Sequence, residues 1–220
     1  MTVSRYALAL LAGLAMAGAA LPSTVLAEDF QPKEKGTLML NVRLTDVDPK
    51  AGNDILTAAN VDTGLNAEVS SSVMPTIGLT YFMTDNLALE VIAGTTKHKI
   101  SASGLPVADT WVLPPVVALQ YHFNPKGRVS PYVGAGVNYM LFYGTEDKTG
   151  FKSTKVDNGF GYALQAGADV AIKGPWSLNV DVKKIYFETD ATTTLKPATK
   201  LHSKVDLDPW VLSVGFGYRF

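Results

Sequence analysis

The final stretch of the chain alternates between large apolar side chains and small or polar ones, and this pattern limits the fold more than any other feature. Every second position is large and apolar: Trp210, Leu212, Val214, Phe216, Tyr218 and Phe220. A period of two residues predicts a β-strand with one apolar face. An apolar stripe with several aromatic residues is typical of an outer-membrane barrel, where such a face meets lipid. We take a transmembrane β-barrel as the working hypothesis.

Residues 1–27 predict a secretory signal peptide. Arg5 precedes an apolar run over residues 6–21, and the small-residue pattern that ends at Ala27 precedes acidic residues. A retained N-terminal helix is the alternative, but a helix bounded by Pro22 is short for a membrane span. We therefore expect residues 28–220 to form an exported outer-membrane barrel.

Charge and cysteine content exclude several other classes. Removing residues 1–27 from 220 leaves 193 residues, and the loss of Arg5 reduces 19 basic groups to 18 against 20 acidic ones, a net charge of −2. This balance argues against a nucleic-acid partner. The chain has no cysteine, so neither a disulfide framework nor a thiolate metal site is expected, and no cofactor is predicted. Without a long apolar helix after residue 27, any membrane crossing must use strands.

Seven more segments alternate after a polar leader (residues 28–36): residues 37–47, 73–83, 87–99, 111–123, 131–143, 158–172 and 176–190. Each suits a tilted crossing of about 9–11 residues or a little more. Short links alternate with four long segments, residues 48–72, 100–110, 144–157 and 191–206, which we interpret as loops. The prediction is an all-β fold, an eight-stranded antiparallel transmembrane β-barrel with short periplasmic turns and longer extracellular loops.

A soluble, lipocalin-like barrel is the competing fold. It would place the apolar stripes inside and the charges outside. The face opposite the stripes carries six charged residues: Arg43, Glu90, Asp169, Asp181, Lys183 and Arg219. A soluble protein would then bury these charges and expose a continuous apolar belt, which soluble monomers avoid. The apolar face is therefore expected to meet lipid.

Several segments resemble the outer membrane protein W (OmpW) family. They are residues 112–116 (VLPPV), 131–139 (PYVGAGVNY), 208–211 (DPWV), 217–220 (GYRF), 81–86 (YFMTDN) and 98–100 (HKI). The resemblance spans nearly all of residues 28–220. It implies an eight-stranded barrel with a narrow apolar channel for small hydrophobic solutes. It also implies that the terminal Tyr218 and Phe220 form the signal that the barrel-assembly machinery recognises.

Inward-facing residues divide into two zones by height from the periplasmic end. The charged residues Arg43, Glu90, Asp169, Asp181, Lys183 and Arg219 lie in the lower zone, which we call the polar plug. Eight strands enclose a space just wide enough for side chains, so these charges are expected to pair, since unpaired charges there are costly. A merely structural role is the alternative. The upper zone includes Val116, Met140, Phe142 and Val211 and is an apolar, extracellular-side funnel.

Pro114 and Pro115 lie near the extracellular end of the fourth strand, and Pro75 lies on the second. Proline has no N–H for the ladder, so we expect interrupted pairing and a lateral opening beside the third and fourth strands. A β-bulge or a strand start is the alternative. An apolar solute blocked by the plug would leave through this opening into the outer leaflet. Phe160 is a further candidate gate or contact residue, although alternation points it outward.

The histidines His98, His122 and His202 lie on different strands or loops, and only His122 is expected inside the barrel. No metal site and no serine-hydrolase signature is predicted, so the protein is not expected to be an enzyme. The predicted function is passive uptake of small hydrophobic molecules by a monomer embedded in outer-membrane lipid. The alternative is a structural or receptor barrel, for phage, colicin or adhesion, that acts through its extracellular loops.

Overall fold

The computed structural model describes residues 30–50, 53–196 and 199–220, so the predicted signal peptide lies outside the described residues. The strands are β1 (Leu38–Asp48), β2 (Asn53–Thr57), β3 (Asp62–Val69), β4 (Ser72–Phe82), β5 (Leu87–Gly94), β6 (Thr96–Ala102), β7 (Leu105–Leu113), β8 (Val116–His122), β9 (Val129–Asp147), β10 (Phe151–Val156), β11 (Gly159–Lys173), β12 (Trp176–Tyr186), β13 (Glu188–Leu195), β14 (Lys200–Asp206) and β15 (Trp210–Arg219). In this described part of the chain, no helix has the length and apolar character needed to cross a membrane.

Eight antiparallel strands form a closed ring in the order β15-β1-β4-β5-β8-β9-β11-β12, which returns to β15. The closing pair joins the two ends of the described chain, with Met39 opposite Arg219 and Asp48 opposite Trp210. Short links at residues 83–86, 123–128 and 174–175 connect neighbouring strands on one side. The predicted eight-stranded antiparallel barrel is confirmed.

Burial alternates along the ring strands, because successive side chains point to opposite faces. On β15, Trp210 and Phe216 are exposed, whereas Val211 and Arg219 are buried. Exposed aliphatic residues cover the outer surface: Val42, Leu44, Ile77, Leu79, Val91, Leu119, Val137 and Val214. Charged residues occupy the inside, which reverses the usual order of a soluble protein and fits a lipid-facing wall.

Two aromatic girdles bound this wall, as in outer-membrane barrels. The periplasmic girdle contains Tyr81, Tyr121, Phe123, Trp176, Tyr218 and Phe220. The extracellular girdle contains Trp111, Tyr139, Tyr143, Phe160, Tyr162, Tyr186 and Trp210. The strands between the girdles form the membrane-spanning part of the ring.

The four long links are largely strands, so their interpretation as loops was wrong. β2, β3, β6, β7, β10, β13 and β14 pair with one another and with the upper part of β9. We call this second sheet the extracellular extension. Gly, Asn and Ser in these segments indicated loops because they mark turns, and the structure does use them there: Asn60, Ser103, Gly104 and Gly150 have positive φ. The residues between these turns are in strands.

Phe220 occupies the end of the periplasmic girdle. Its N–H donates to the carbonyl of Leu38 at 2.8 Å, and its ring is 69% exposed and meets Tyr218 edge-on. The family resemblance implies that the barrel-assembly machinery recognises Phe220, and the exposed ring is accessible for such a contact. We predict that deletion of Phe220 lowers the amount of barrel in the outer membrane while the barrels that do assemble keep their solute uptake.

The matched control is Phe123→Ala, which removes an exposed aromatic ring from the same girdle without altering the last residue. Quantitative blotting of outer-membrane fractions measures both variants. Normal levels of the Phe220 deletion would contradict the prediction, and so would an equal loss in Phe123→Ala.

Candidate functional site

The polar plug is a continuous network in the periplasmic half of the lumen. Arg43 donates from Nη2 to Glu90 Oε1 at 2.7 Å and from Nε to Asn179 Oδ1 at 2.6 Å. Lys183 Nζ lies 3.5 Å from Glu90 Oε2 and also donates to Asp181. These side chains are almost completely buried. The structure therefore brings four of the charged plug residues into one chain of ion pairs.

Two neutral residues join Asp169 to this chain, and the sequence analysis missed both. Asn179 Nδ2 donates to Asp169 Oδ1 at 2.7 Å and to the Tyr132 hydroxyl at 3.1 Å. The Tyr132 hydroxyl in turn donates to Asp181 Oδ2 at 2.8 Å. The alternation of β9 and β12 places both residues inward, so the pattern could have identified them.

Lys33 enters the plug from the polar leader and was not predicted. It is 1% exposed, its Nζ donates to Asp169 Oδ2 at 2.6 Å, and the same atom lies 3.4 Å from His122 Nδ1. The ammonium also lies over the ring of Phe82, 5.9 Å from its centre. A buried lysine needs a partner of this kind, and Asp169 supplies it.

The leader, described from residue 30 to 36, crosses the periplasmic mouth of the ring. Its backbone N–H groups donate to a carbonyl at or beside each short turn: Gln31 to Gly174 at 3.0 Å, Lys33 to Pro125 at 3.1 Å and Gly36 to Phe82 at 2.8 Å. The leader and the inserted lysine together close this end of the lumen.

Arg219 is the plug residue that differs from expectation. It was expected to pair with a carboxylate, but its guanidinium donates to the carbonyls of Gln31 and Trp176. The position of Arg219 near the end of β15 places it at the periplasmic rim, beside the leader. The cation at Asp169 is Lys33, which was not among the predicted plug residues.

Above the plug the lumen is apolar and contains a cavity of about 200 Å³, which we call the chamber. Met140, Phe142 and Pro114 line it. Its floor is an apolar cluster that includes Val47, Met74, Ile92, Val116, Ile185, Phe187 and Val211. Its roof, in the extracellular extension, is a second cluster of Ala102, Val107, Ala108 and Phe151 packed against Ile55, Ile100 and Leu195. Apolar side chains thus bound the chamber both on the plug side and in the extracellular extension.

Phe160, a candidate gate or contact residue, points outward as its alternation indicated and does not line the chamber. Its side chain is 80% exposed and packs on Tyr139 in the extracellular girdle. Phe187 fills the lumen next to Gly159. A Cβ added at Gly159 would lie only 3.1 Å from the Phe187 ring. The residue that fills this part of the lumen is therefore Phe187.

The wall of the ring is interrupted at the level of the prolines. β5 pairs with β8 up to Ile92 opposite Val116, and β6 pairs with β7 from Thr96 opposite Val112. Between these pairs, residues 93–95 face residues 113–115 with no ladder pair in the described chain. We call this interruption the seam. The β5–β8 ladder below the seam and the β6–β7 ladder above it have the same register. Residues 93–95 and 113–115 therefore run side by side without ladder pairs.

The two prolines act on different neighbours. Pro115 O accepts from the N–H of Tyr139 at 3.1 Å and from Asn138 Nδ2 at 2.9 Å, so this residue faces β9. Backbone groups alternate in direction along a strand, so the missing N–H of Pro114 faces the seam. There the Thr95 hydroxyl donates to Val112 O at 3.3 Å. Pro114 is therefore the proline that removes a ladder bond from the seam.

The third crossing is also loosely held on its other side. The β4–β5 ladder ends at Thr76 opposite Gly94. Above it, side chains replace part of the ladder: Thr96 Oγ1 donates to Ser72 Oγ at 2.6 Å, and His98 Nδ1 lies 2.7 Å from Ser70 O. Residues 96–99 keep their ladder with β7, so the loss of ladder pairs is confined to the side that faces β4.

The histidines also differ from expectation, because His98 and His202 line the chamber in addition to His122 in the plug. His122 belongs to the plug and lies 3.1 Å from Gln120 Oε1. His98 lines the chamber and is buried. It lies inside because the extracellular extension makes the barrel wall taller than predicted. His202 contacts Asn60 Oδ1 at 2.8 Å. Across residues 30–50, 53–196 and 199–220, no group of three or more His, Cys, Asp or Glu could hold a metal ion.

Comparisons with known proteins identify relatives of the whole barrel. The family model described as "OmpW family" matches residues 34–220. An uncharacterized outer-membrane protein, y4mB of Sinorhizobium fredii, is 43% identical over 71% of this chain and 70% of its own length. Outer membrane protein W of Vibrio cholerae is 31% identical over 94% of this chain and 97% of its own length. The dibenzothiophene metabolism operon protein PahQ of Pseudomonas aeruginosa is 31% identical over 71% of this chain and 76% of its own length.

Solved structures agree on the architecture. The crystal structure of the outer membrane protein OprG from Pseudomonas aeruginosa has a TM-score of 0.82 and 29% identity, over 87% of this chain and 99% of that one. The solid-state NMR structure of outer membrane protein AlkL in DMPC lipid bilayers has a TM-score of 0.69 and 27% identity, over 91% of this chain and 97% of that one. These similar proteins are described as outer-membrane proteins rather than as enzymes.

Proposed function

Since the chain belongs to the OmpW family and is an outer-membrane barrel, we propose that it takes up small hydrophobic molecules passively. The solute occupies the chamber and leaves sideways through the seam into the outer leaflet. No energy source is needed, because transfer of an apolar molecule towards lipid is favourable. The observation that carries this proposal is the position of the seam, which lies beside an apolar cavity and above a charged plug.

The plug supports a lateral route over a vertical one. An apolar solute that moved straight to the periplasm would have to separate the buried pair of Arg43 and Glu90, and then displace Lys33 from Asp169. Breaking a buried ion pair costs about 3–5 kcal/mol. The seam needs no charge separation, because its edges are backbone groups, apolar side chains and the uncharged Thr95.

The relatives support the class of solute. PahQ is named for an operon of dibenzothiophene metabolism, and dibenzothiophene is an apolar aromatic compound. The chamber of this chain has the matching character, with Val112, Met140 and Phe142 in its lining. Aromatic hydrocarbons are therefore suitable probes for uptake.

We predict that Pro114→Val lowers the uptake of such a probe about fivefold. Valine at this position supplies the N–H that faces the seam, and one added ladder hydrogen bond stabilises the closed wall by about 1 kcal/mol. The initial rate of uptake of radiolabelled naphthalene is measured in a strain that lacks its own channel of this kind and expresses either protein at equal surface level.

Pro115→Val is the matched control, since the N–H that it restores faces β9 and leaves the seam unchanged. Its uptake should stay within about twofold of the unaltered protein. Equal falls in both variants would show a general packing effect, and unchanged uptake in Pro114→Val would argue against the lateral route.

A receptor role has its own supporting observation. The extracellular extension rises above the extracellular girdle and presents exposed charged residues, including Glu146, Lys155, Glu188 and Lys204. If naphthalene uptake is the same with and without the protein, and remains so across a broad panel of apolar compounds, this second function is favoured.

A further inference from the structure

Of the two histidines that line the chamber, His202 is half-buried and His98 is buried. Its side chain lines the chamber and is 3% exposed. Nδ1 lies 2.7 Å from the carbonyl oxygen of Ser70. A carbonyl only accepts, so Nδ1 must carry the proton. In the neutral ring the other nitrogen, Nε2, is then a hydrogen-bond acceptor.

Nε2 has no partner among the described residues. The other polar side chains of the lining are engaged: Thr96 with Ser72, Ser101 with Glu68, Thr110 with Thr145, Thr154 with Thr193, Ser203 with Asp54 O, and His202 with Asn60. Nε2 is not among the completely enclosed unpaired polar atoms, so it is accessible from the chamber. An apolar molecule bound beside Nε2 would leave this acceptor without a hydrogen bond, which is costly, whereas a molecule with a donor supplies one.

The surroundings keep the imidazole neutral. Lys97 alternates with His98, so its charge lies on the outer surface, where it pairs with Glu146 at 2.8 Å and approaches Asp109 at 3.9 Å. Burial lowers the pKa of His98 below its usual value. His98 belongs to the extracellular extension, above the girdle. At neutral pH, Nε2 therefore keeps its lone pair.

We propose that the chamber selects apolar molecules that carry one hydroxyl group, phenols above all, and that the hydroxyl donates to Nε2 of His98. This selectivity rests on the proposed function, since it concerns the same chamber. The volume of about 200 Å³ exceeds the roughly 150 Å³ of an engineered apolar cavity that holds benzene. A molecule of one or two fused rings is therefore a suitable size.

A matched pair of probes tests the hydrogen bond. Binding of 2-naphthol and of 2-methoxynaphthalene, which has the same rings but no donor, is measured by fluorescence titration of the barrel in lipid nanodiscs, with empty nanodiscs subtracted. We expect 2-naphthol to bind about tenfold more tightly, because the ether leaves Nε2 without a partner. In His98→Phe the two probes should bind with equal affinity.

His202→Phe is the control variant, because it replaces the other chamber histidine, which already has a partner. It should keep the preference for 2-naphthol. Should His98→Phe fail to fold, the ¹⁵N chemical shift of Nε2 in the unaltered protein provides a second test, and it should move towards the protonated-nitrogen range when 2-naphthol is added and stay fixed with 2-methoxynaphthalene.

The possible failures are distinguishable. Equal affinities of the two probes in the unaltered protein, a preference that persists in His98→Phe, or an unmoved Nε2 shift would overturn the role of His98 and leave lateral uptake intact. No binding of either probe to the unaltered barrel would overturn the proposed function, and the selectivity with it.

Discussion

Glu90→Leu is expected to lower the free energy of unfolding by about 3–5 kcal/mol, the usual effect of removing one partner from a buried ion pair. Glu90 is 0% exposed and lies between two cations, with Arg43 Nη2 at 2.7 Å and Lys183 Nζ at 3.5 Å. Leucine leaves both cations close together without the carboxylate that balanced them. Urea titration of the barrel in lipid vesicles, followed by the heat-dependent mobility of the folded form on gels, measures the change.

The double variant Arg43→Met, Glu90→Leu is the matched control. It removes one charge of each sign, and Lys183 keeps its contact with Asp181. Replacing a whole buried pair by apolar residues is often neutral or stabilising. The double variant should therefore recover at least about 2 kcal/mol relative to Glu90→Leu alone. If it is as unstable as the single variant, the loss comes from packing rather than from unbalanced charge.

The second large effect is expected at the leader. Lys33→Met leaves the buried carboxylate of Asp169 without its closest cation. Removing one partner of a buried ion pair costs about 3–5 kcal/mol. The fraction of molecules with the leader detached should therefore rise at least about a hundredfold. Hydrogen exchange at the amides of Lys33 and Gly36, which donate to the turns, reports this opening.

Lys126→Met tests whether any lost ion pair at this end has the same consequence. Lys126 and Asp85 lie 2.8 Å apart, but both side chains are largely exposed. Exposed pairs contribute about 0–1 kcal/mol, so exchange at Gly36 should change less than about fivefold. Fast exchange in both variants, or in neither, would contradict the proposal that Lys33 holds the leader across the periplasmic mouth.

The sequence predicted the ring well because burial follows a period of two. Once Trp210 is placed on the lipid side, every other residue of β15 follows, and the same reasoning places Arg43 and Glu90 inside. Strand count and antiparallel order came from the same pattern together with the short turns. Such features are local, so one sequence is enough to predict them.

Features without a repeating pattern were missed. Lys33 lies in an irregular segment, where no alternation indicates that its side chain turns into the lumen. The extracellular extension was hidden because its strands are short and rich in turn residues, so composition outweighed pattern. For the same reason, His98 was not predicted to lie inside. Its inward-facing side chain is in the lumen only because the barrel wall continues beyond the extracellular girdle. Arg219 differed because it lies at the periplasmic rim, where its guanidinium donates to backbone carbonyls, while Lys33 pairs with Asp169.

The docked leader also has a consequence for the order of folding. The ring closes when β15 meets β1, which brings together residues as distant in sequence as Met39 and Arg219. Contacts between such distant positions form slowly. The leader rests on turns from three separate hairpins, and Lys33 also pairs with Asp169 on β11, a strand of one of these hairpins. Its complete set of contacts therefore exists only after the hairpins have assembled side by side. We therefore expect the ion pair between Lys33 and Asp169 to form late in folding. Its formation closes the periplasmic mouth of the newly inserted barrel.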